Sequence, residues 1–263
     1  MKNVVITGST RGIGLAMAIE FLKAGCNVTL SGRGETLSDS VTNDLRYYQE
    51  HYIYVSCDVK VKAELIQLWE KSANQWKTID IWINNAGVNA PNASVYDTEE
   101  TYVRNIIDTN ITGMIFGTQI AAKEMKLQGH GAIYSMEGLG SNNMIQAKTI
   151  LYGTTKHALT YYMKGLTKEL EGTGIIAGRL SPGMMLTDFI IKTPDGEEAA
   201  ITKDKSFKKI FNILADHPAT VASFFIPKML ENTKNGAHIV WLTNTKVAIR
   251  FISSPFIKRN LVK

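Results

Sequence analysis

The stretch Asn3-Val-Val-Ile-Thr-Gly-Ser-Thr-Arg-Gly-Ile-Gly14 joins a short apolar run to a glycine-rich turn, and a helical pattern follows at 15–24. The apolar run predicts a buried parallel strand. In a strand, turn and helix of this kind, backbone amides at the helix start can face a pyrophosphate, and glycines let the phosphates approach closely. The first two glycines are separated by three residues, unlike those of the standard dinucleotide fingerprint. We predict nucleotide contacts from Gly8, Ser9, Thr10, Arg11, Gly12, Ile13 and Gly14.

Two arginines near this turn bear on the choice of dinucleotide. A fold that prefers NAD usually carries an acid at the end of its second strand, where the acid holds the ribose 2′-hydroxyl. The predicted second strand, 26–31, is followed instead by Gly32 and Arg33, and Arg11 lies within the glycine turn. Two guanidinium groups can clamp a 2′-phosphate through forked, charge-assisted hydrogen bonds. The pattern favours NADP(H) over NAD(H); the alternative is that both arginines are solvent-facing loop residues.

Strands and helices alternate along the rest of the chain. Apolar segments predict further strands at 52–56, 79–83, 131–135, 175–180 and 237–242, with helical patterns between them. This alternation predicts an α/β fold, a Rossmann-type doubly wound parallel sheet of about seven strands with helices on both faces. We expect a single domain over residues 1–263.

Residues that follow the strands are candidate ligand contacts, because an open α/β sheet binds ligands at the carboxyl ends of its strands. After the third strand, Asp58 either accepts a hydrogen bond from an adenine amino group or caps the next helix. The small and amide residues of Asn84-Asn85-Ala86-Gly87 follow the fourth strand and fit such a crevice. The cofactor contacts that we predict here are Asp58, Val59, Asn85, Ala86 and Gly87.

Tyr152 and Lys156 are four residues apart in Leu-Tyr-Gly-Thr-Thr-Lys-His-Ala-Leu-Thr, residues 151–160. If this segment is a helix, both side chains lie on one face. An adjacent ammonium favours phenolate over phenol and eases deprotonation of a tyrosine whose free pKa is about 10. Such a tyrosine can exchange a proton with a carbonyl or alcohol oxygen near neutral pH. The alternative is a surface Tyr and a surface Lys on an amphipathic helix.

A long helical pattern at 98–127 contains Asn110 near its middle. Asparagine is an unfavourable residue inside a helix. It marks either a tolerated kink or a place where the backbone releases a carbonyl to hold a water.

The composition predicts a globular protein and excludes several classes. The chain has 263 residues, 44% of them hydrophobic, and a net charge of +5 without a dense basic run, so we expect no nucleic-acid partner. Cys26 and Cys57 lie in apolar segments and lack metal-ligand spacing, which predicts no metal site and a reducing, cytoplasmic compartment. We expect no targeting segment and no transmembrane segment.

Five motifs occur in the order and spacing of the short-chain dehydrogenases/reductases, and the chain resembles this family over residues 3–190. The resemblance implies a Rossmann-fold oxidoreductase that moves hydride between NAD(P)(H) and a carbonyl or alcohol, usually as a homodimer or homotetramer. It implies that Tyr152 is the general acid and that Lys156 lowers its pKa and binds the nicotinamide ribose. It also implies that Asn110 holds a proton-relay water. The motifs are Thr7-Gly8-x-x-x-Gly12-Ile13-Gly14, Asn84-Asn85-Ala86-Gly87, Asn110, Tyr152-x-x-x-Lys156 and Pro182-Gly183-x-x-x-Thr187, whose Thr187 would touch the carboxamide.

One departure from the family pattern concerns the catalytic serine, which usually lies 13 residues before the tyrosine, where this chain has Leu139. Ser135 ends the fifth strand, as the family serine does, but leaves a longer loop before Tyr152. Ser141 lies 11 residues before Tyr152. We favour Ser135, with Ser141 as the alternative and Glu137 as another polar group in reach. The remaining possibility is that no serine takes this role.

The loop after the fifth strand narrows the resemblance to one branch. Met136-Glu137-Gly138-x-Gly140-Ser141 is similar to the Met-Asp-Gly-Ala-Gly-Ser stretch of the plant chlorophyll(ide) b reductases, which reduce a ring formyl group with NADPH. This implies an NADP(H)-dependent reductase of a bulky apolar carbonyl substrate. A hydroxysteroid or other ketone/alcohol dehydrogenase is the alternative within the family. A non-catalytic NADPH-binding sensor is the alternative from another class, and the intact Tyr152, Lys156 and Asn110 argue against it.

Two segments near the carboxyl end carry further expectations. Residues 185–216 form the predicted substrate lid, whose apolar residues indicate either a bulky apolar ligand or ordinary helix packing. The tail at 246–263 mixes apolar side chains with five basic residues and no acid. It could dock on a membrane surface, although such tails more often pack on their own domain or a partner subunit. The apolar lid residues are Phe189, Ile190, Ile191, Phe207 and Phe211.

Overall fold

The structure, a computed structural model, describes residues 1–187 and 204–262. Seven parallel strands form one sheet in the order β3-β2-β1-β4-β5-β6-β7, which confirms the predicted doubly wound α/β fold. The strands are β1 (Asn3–Ile6), β2 (Asn27–Gly32), β3 (Tyr52–Ser56), β4 (Ile81–Asn84), β5 (Gly131–Met136), β6 (Ile175–Ser181) and β7 (Ala237–Val240).

Helices cover both faces of this sheet, and a separate apolar cluster fills each side. In β1, Val4 and Ile6 pack into one cluster and Val5 into the other, because successive strand residues point to opposite faces. The helices of the described residues are α1 (Gly12–Lys23), α2 (Asp39–Asp44), α3 (Lys62–Trp76), α4 (Glu100–Ile107), α5 (Gly113–Gln128), α6 (Ile150–Glu169), α7 (Lys205–Leu214), α8 (Pro218–Glu231) and α9 (Asn244–Ser253).

The long helix predicted at 98–127 is interrupted. A π-helical turn, Asp108–Thr112, separates α4 from α5, and the Gly113 N–H donates to the carbonyl of Asp108. A Cβ atom at Gly113 would lie 2.7 Å from a methyl carbon of Val59, so the start of α5 packs directly on the loop after β3. The widened turn accommodates the kink that Asn110 indicated, as π-bulges commonly do at functional sites.

The tail folds back on its own domain and is held by Asp216. This aspartate is 5% exposed. Its carboxylate accepts hydrogen bonds from Arg259 at 2.6 Å and from the Trp241 indole at 2.7 Å, and it pairs with Arg250 at 2.8 Å. Arg259 also donates to the carbonyls of residues 213 and 215 at the end of α7. The tail therefore fixes one end of the predicted lid.

Other parts of the lid and tail leave earlier expectations open. Phe211 is fully buried and its ring lies 5.4 Å from that of Phe207, which is ordinary packing along α7. The side chains of α9 and the segment after it include exposed Ile252 and Phe256. Membrane contact stays a prediction; no helix among residues 1–187 and 204–262 has the length and apolar character needed to cross a bilayer. Phe189, Ile190 and Ile191 lie outside the described residues.

The two cysteines are buried free thiols. Burial raises the pKa of Cys57 to about 12, so this thiol stays protonated at neutral pH. Within the described part of the chain, no group of three His, Cys, Asp or Glu side chains is placed to hold a metal ion. The reducing compartment stays a prediction.

Candidate active site

The glycine turn is tied to the segment after β4 by Thr7. The Thr7 hydroxyl accepts hydrogen bonds from the backbone N–H groups of Asn85 and Ala86, each at 3.0 Å. The Asn85 amide donates back to the carbonyls of Thr7 at 3.0 Å and Gly8 at 2.9 Å. The strand order reverses between β1 and β4, and open α/β sheets bind ligands at such a reversal. These bonds therefore hold together the two segments that border the expected ligand site.

Space for a phosphate lies over the glycine turn. Gly12 has φ +57°, and among residues 1–187 and 204–262, apart from the adjoining backbone, a Cβ there would meet one atom within 4 Å, the Cγ2 of Thr187 at 3.7 Å. By contrast, a Cβ at Gly8, where φ is +63°, would lie 2.8 Å from the Cα of Ala86. Helix α1 begins at Gly12, so its first amides have no partner within the helix. The open space, these amides and Thr187 fit a bound pyrophosphate from opposite sides.

Ser9 contributes to this turn differently from our expectation. Its side chain is fully buried. The hydroxyl donates to the Ile6 carbonyl at 2.8 Å and accepts from the Ser31 N–H at 2.9 Å. The Ser9 hydroxyl therefore links β1 to β2 inside the fold. A nucleotide contact from Ser9 would have to come from its backbone.

Arg11 and Arg33 lie near the same corner of the fold. A Cβ at Gly32 would lie 2.7 Å from the Cγ2 of Thr10, so the glycine turn packs against the end of β2. Arg11 follows Thr10, Arg33 follows Gly32, and both arginines are exposed. Within the described residues, neither guanidinium forms a salt bridge with an Asp or Glu. This donor set suits a 2′-phosphate better than a 2′-hydroxyl.

The residues after β3 are held by local contacts. The Asp58 carboxylate accepts from the Lys60 N–H at 3.0 Å and lies 3.6 Å from the Lys60 ammonium. Asp58 therefore stabilises the turn before α3, and an adenine contact stays a prediction. Val59 is 7% exposed and packs on Gly113, as described above.

The Asn110 side chain is buried and fully used in hydrogen bonds. Its oxygen accepts from the Val88 N–H at 2.8 Å, and its amide donates to the Val88 carbonyl at 3.0 Å and to the Thr155 hydroxyl at 3.1 Å. These bonds connect the π-turn, the loop after β4 and α6. Gly87 lies between Asn110 and Lys156: a Cβ at this glycine would be 3.4 Å from the Asn110 side-chain oxygen and 3.8 Å from the Lys156 ammonium.

Tyr152 and Lys156 share one face of α6, as the spacing predicts. The Lys156 ammonium donates to the Met136 carbonyl at 2.9 Å and lies 5.8 Å from the centre of the Tyr152 ring. Burial lowers the pKa of Lys156 to about 8, although the charge of Glu137 opposes this shift. Burial also raises the pKa of Tyr152. Burial sets the direction of this shift in the structure, and the lowering of the Tyr152 pKa by Lys156 stays a prediction.

Ser135 does not complete this pair. It is fully buried on β5, where its hydroxyl donates to the Met163 sulfur at 3.2 Å and accepts from the Asn84 amide at 3.4 Å. Our preference for Ser135 is therefore wrong, because this side chain points into the core beneath α6. The Ser141 hydroxyl accepts from the Gly138 N–H and donates to the Lys156 carbonyl, both at 3.2 Å. Ser141 thus holds the loop against α6, close to the pair.

Gly138 faces the Tyr152 hydroxyl. A Cβ at this position would collide with the phenol oxygen and would lie 3.2 Å from the Cγ of Lys156. Sequence reasoning missed this contact because it looked for a hydroxyl at the position. The signal was present as a glycine one residue before Leu139, the position of the usual serine.

The segment after β6 completes the site. Gly183 has φ +71°, and a Cβ there would lie 2.6 Å from the Cβ of Leu242, so glycine is required after the buried Pro182. Two backbone bonds join 184–186 to Asp216, at 3.1 and 3.0 Å. They hold Thr187 above Gly12. Beside Tyr152, a shallow depression is lined by apolar residues, including Pro91, Val95, Ile150 and Leu151, and by polar residues, including Asn89 and Lys148.

A sequence model of the short chain dehydrogenase family matches residues 2–198. The chain belongs to the short-chain dehydrogenase family. It is an oxidoreductase of that family and resembles the chlorophyll(ide) b reductase branch. Chlorophyll(ide) b reductase NOL, chloroplastic, of Oryza sativa subsp. japonica is 34% identical over 262 residues, which cover 95% of this chain and 74% of the relative.

Two further comparisons extend the family likeness. A 3α-hydroxysteroid dehydrogenase of Mediterraneibacter gnavus is 30% identical over 202 residues, covering 74% of this short-chain dehydrogenase and 78% of the relative. The solved structure of ElxO with NADP bound superimposes with a TM-score of 0.81 at 26% identity, covering 94% of this chain and 99% of that one. The likeness supports a nicotinamide dinucleotide as the cofactor.

The lowered pKa of Lys156 predicts a pH-dependent stability. Between pH 8 and its ordinary 10.5, the unfolded chain binds this proton more often than the folded chain does, so stability rises with pH. From neutral pH to pH 10, the free energy of unfolding of the wild-type protein should rise on the order of 2 kcal/mol more than that of Lys156→Met. Urea unfolding at each pH measures the difference. Lys164→Met changes an exposed lysine on the same helix and should show the same rise in stability with pH. If Lys164→Met lost the rise, the effect would not belong to Lys156.

Proposed function

We propose that this short-chain dehydrogenase is an NADP(H)-dependent reductase that converts a carbonyl to an alcohol, with Tyr152 as general acid/base. The observation that carries the proposal is the Tyr152–Lys156 pair at the carboxyl ends of β4 and β5, in which Tyr152 is half-buried against Gly138 and Lys156 is buried near Gly138 and Gly87. A phenol placed there can deliver a proton to a substrate oxygen that enters from the depression beside Tyr152.

The cofactor side of the proposal rests on the open space over Gly12 and on the donor set around it. When bound, the reduced nicotinamide supplies the hydride. The first amides of α1 hold the pyrophosphate, and Arg11 and Arg33 bind the 2′-phosphate. Lys156 holds the nicotinamide ribose and Thr187 contacts the carboxamide. Asp58, Val59, Asn85, Ala86, Gly87, Pro182 and Gly183 line the rest of the site.

The proton side of the proposal assigns roles to three residues of the described site. Tyr152 gives its phenol proton to the carbonyl oxygen as hydride reaches the carbon. Lys156, when charged, offsets the cost that burial places on the phenolate. Asn110 fixes the loop after β4 against α6, and its backbone holds the water through which the proton is replaced.

The substrate we propose is a bulky apolar carbonyl, with the formyl group of a chlorophyll(ide) b as the leading case. The name of the rice relative supports this substrate, and the apolar residues of the depression beside Tyr152 could contact its ring. A hydroxysteroid is the second candidate, because the relative from Mediterraneibacter gnavus is a 3α-hydroxysteroid dehydrogenase. A homodimer or homotetramer and a cytoplasmic location stay predictions.

NADPH oxidation with two substrates separates these candidates. We expect purified protein to oxidise NADPH when chlorophyllide b is added, and to yield the hydroxymethyl pigment. Turnover of a bulky ketosteroid alone would keep the mechanism and reject the pigment. Binding of NADPH without turnover of either would favour the non-catalytic sensor.

Tyr152→Phe should lower kcat by about 10²–10⁴-fold, because the phenyl ring cannot donate a proton. NADPH binding, followed by fluorescence, should change little. Tyr161→Phe is the matched control, since Tyr161 is an exposed tyrosine on the same helix, and it should keep full activity. A Tyr152→Phe protein with wild-type turnover would overturn the assignment of the general acid.

Arg33→Ala should weaken NADPH binding about 10-fold or more and leave NADH binding nearly unchanged, because it removes one charged donor to the 2′-phosphate. The ratio of the two dissociation constants is the measurement. Arg46→Ala, which removes an exposed arginine away from the turn, serves as the control. An unchanged ratio in Arg33→Ala would refute the clamp.

A further inference from the structure

Directly after β5 lies a buried carboxylate with three polar partners. Glu137 is 4% exposed. One carboxylate oxygen accepts from Arg179 of β6 at 2.9 Å and from the Thr160 hydroxyl of α6 at 3.2 Å. The other lies 2.8 Å from the Nε2 atom of His238 of β7. Although burial alone would raise the pKa of Glu137, His238 and Arg179 reverse this and lower it, so the side chain is charged at neutral pH.

This cluster contacts the catalytic helix at two places. Glu137 directly follows Met136, whose carbonyl accepts from the Lys156 ammonium at 2.9 Å. Thr160, which donates to Glu137, also lies 3.1 Å from the Lys156 carbonyl. The backbone at 136–137 therefore places a carbonyl oxygen and a carboxylate next to one another on the same side of α6.

Charge explains why a glutamate suits this place. A buried carboxylate costs free energy, and neutral side chains could join β5, β6 and β7 to α6 without that cost. A negative charge, however, opposes the loss of charge that burial imposes on Lys156. Among the described residues, the polar groups in contact with the Glu137 carboxylate are Arg179 from β6, His238 from β7 and Thr160 from α6, and the charge of Glu137 also acts on Lys156.

We propose that Glu137 is a positioning residue for the proposed reduction, on which this inference rests: its buried carboxylate keeps Lys156 charged and directed at the Met136 carbonyl. Glu137 touches neither substrate nor cofactor and acts through Lys156. Arg179 and His238 hold the carboxylate ionised, and Thr160 adds one hydrogen bond to it.

Glu137→Gln tests this by direct titration of Lys156. In protein labelled with ¹³C-lysine, the Lys156 signal is assigned by its loss in Lys156→Met, and its chemical shift is followed with pH in the protein alone. We expect the midpoint in Glu137→Gln to fall by about one pH unit. The basic limb of the turnover profile should move in the same direction.

Two variants separate charge from structure. Thr160→Val removes one hydrogen bond to the carboxylate but keeps its charge, so it should lower stability without moving the midpoint. Glu137→Asp should restore the wild-type midpoint at least in part. An unchanged midpoint in a folded Glu137→Gln protein would overturn the proposal, whatever happens to stability.

If Glu137→Gln does not fold, Arg179→Gln gives the opposite test. This change removes a positive charge that faces Glu137, so the midpoint of Lys156 should rise; no rise would refute the inference. The titration needs no turnover, so its failure is separable from that of the proposed reaction, which the Tyr152→Phe assay tests.

Discussion

The hydrogen bonds of the Thr7 hydroxyl are the constraint on which the site depends. They hold the end of β1 against the segment after β4, at the point where the strand order of the sheet reverses. The Asn85 amide adds two bonds in the other direction, to the carbonyls of Thr7 and Gly8, so the glycine turn and the segment after β4 are joined from both sides. Gly8 then packs on Ala86, Gly12 faces open space below Thr187, and Gly87 comes between Asn110 and Lys156. These close backbone contacts connect the glycine turn, where we propose that the cofactor binds, to the surroundings of Lys156 and Asn110.

Burial of charge is the second organising feature. Lys156 is 5% exposed and Glu137 is 4% exposed, so the fold takes a cation and an anion out of water beside one phenol. Burial lowers the pKa of Lys156 and raises that of Tyr152, and both shifts oppose the charged forms. The carboxylate of Glu137 counteracts the first shift. Gly138 lies opposite the phenol oxygen.

Several expectations failed for physical reasons that a linear reading could not reveal. Ser135 and Glu137 both lie at the end of β5, and alternation of side chains puts them on the same face, but only contacts with Met163, Arg179 and His238 decide what each one does. We predicted one continuous helix at 98–127 because the apolar pattern of this segment continues without a break. Close packing of Gly113 on Val59 and the side-chain bonds of Asn110 interrupt it.

The sequence by itself determined the strand–turn–helix alternation, the parallel sheet, the glycine turn with its two arginines and the Tyr152–Lys156 spacing. These features depend on periodicity and on near neighbours in the chain, which a sequence displays directly. The tertiary structure alone decided which hydroxyl faces the core, that Gly138 meets the phenol, and that Glu137 is buried between three strands and α6. Those outcomes depend on contacts between residues far apart in the chain, and on burial, which shifts the pKa of a side chain according to everything packed around it.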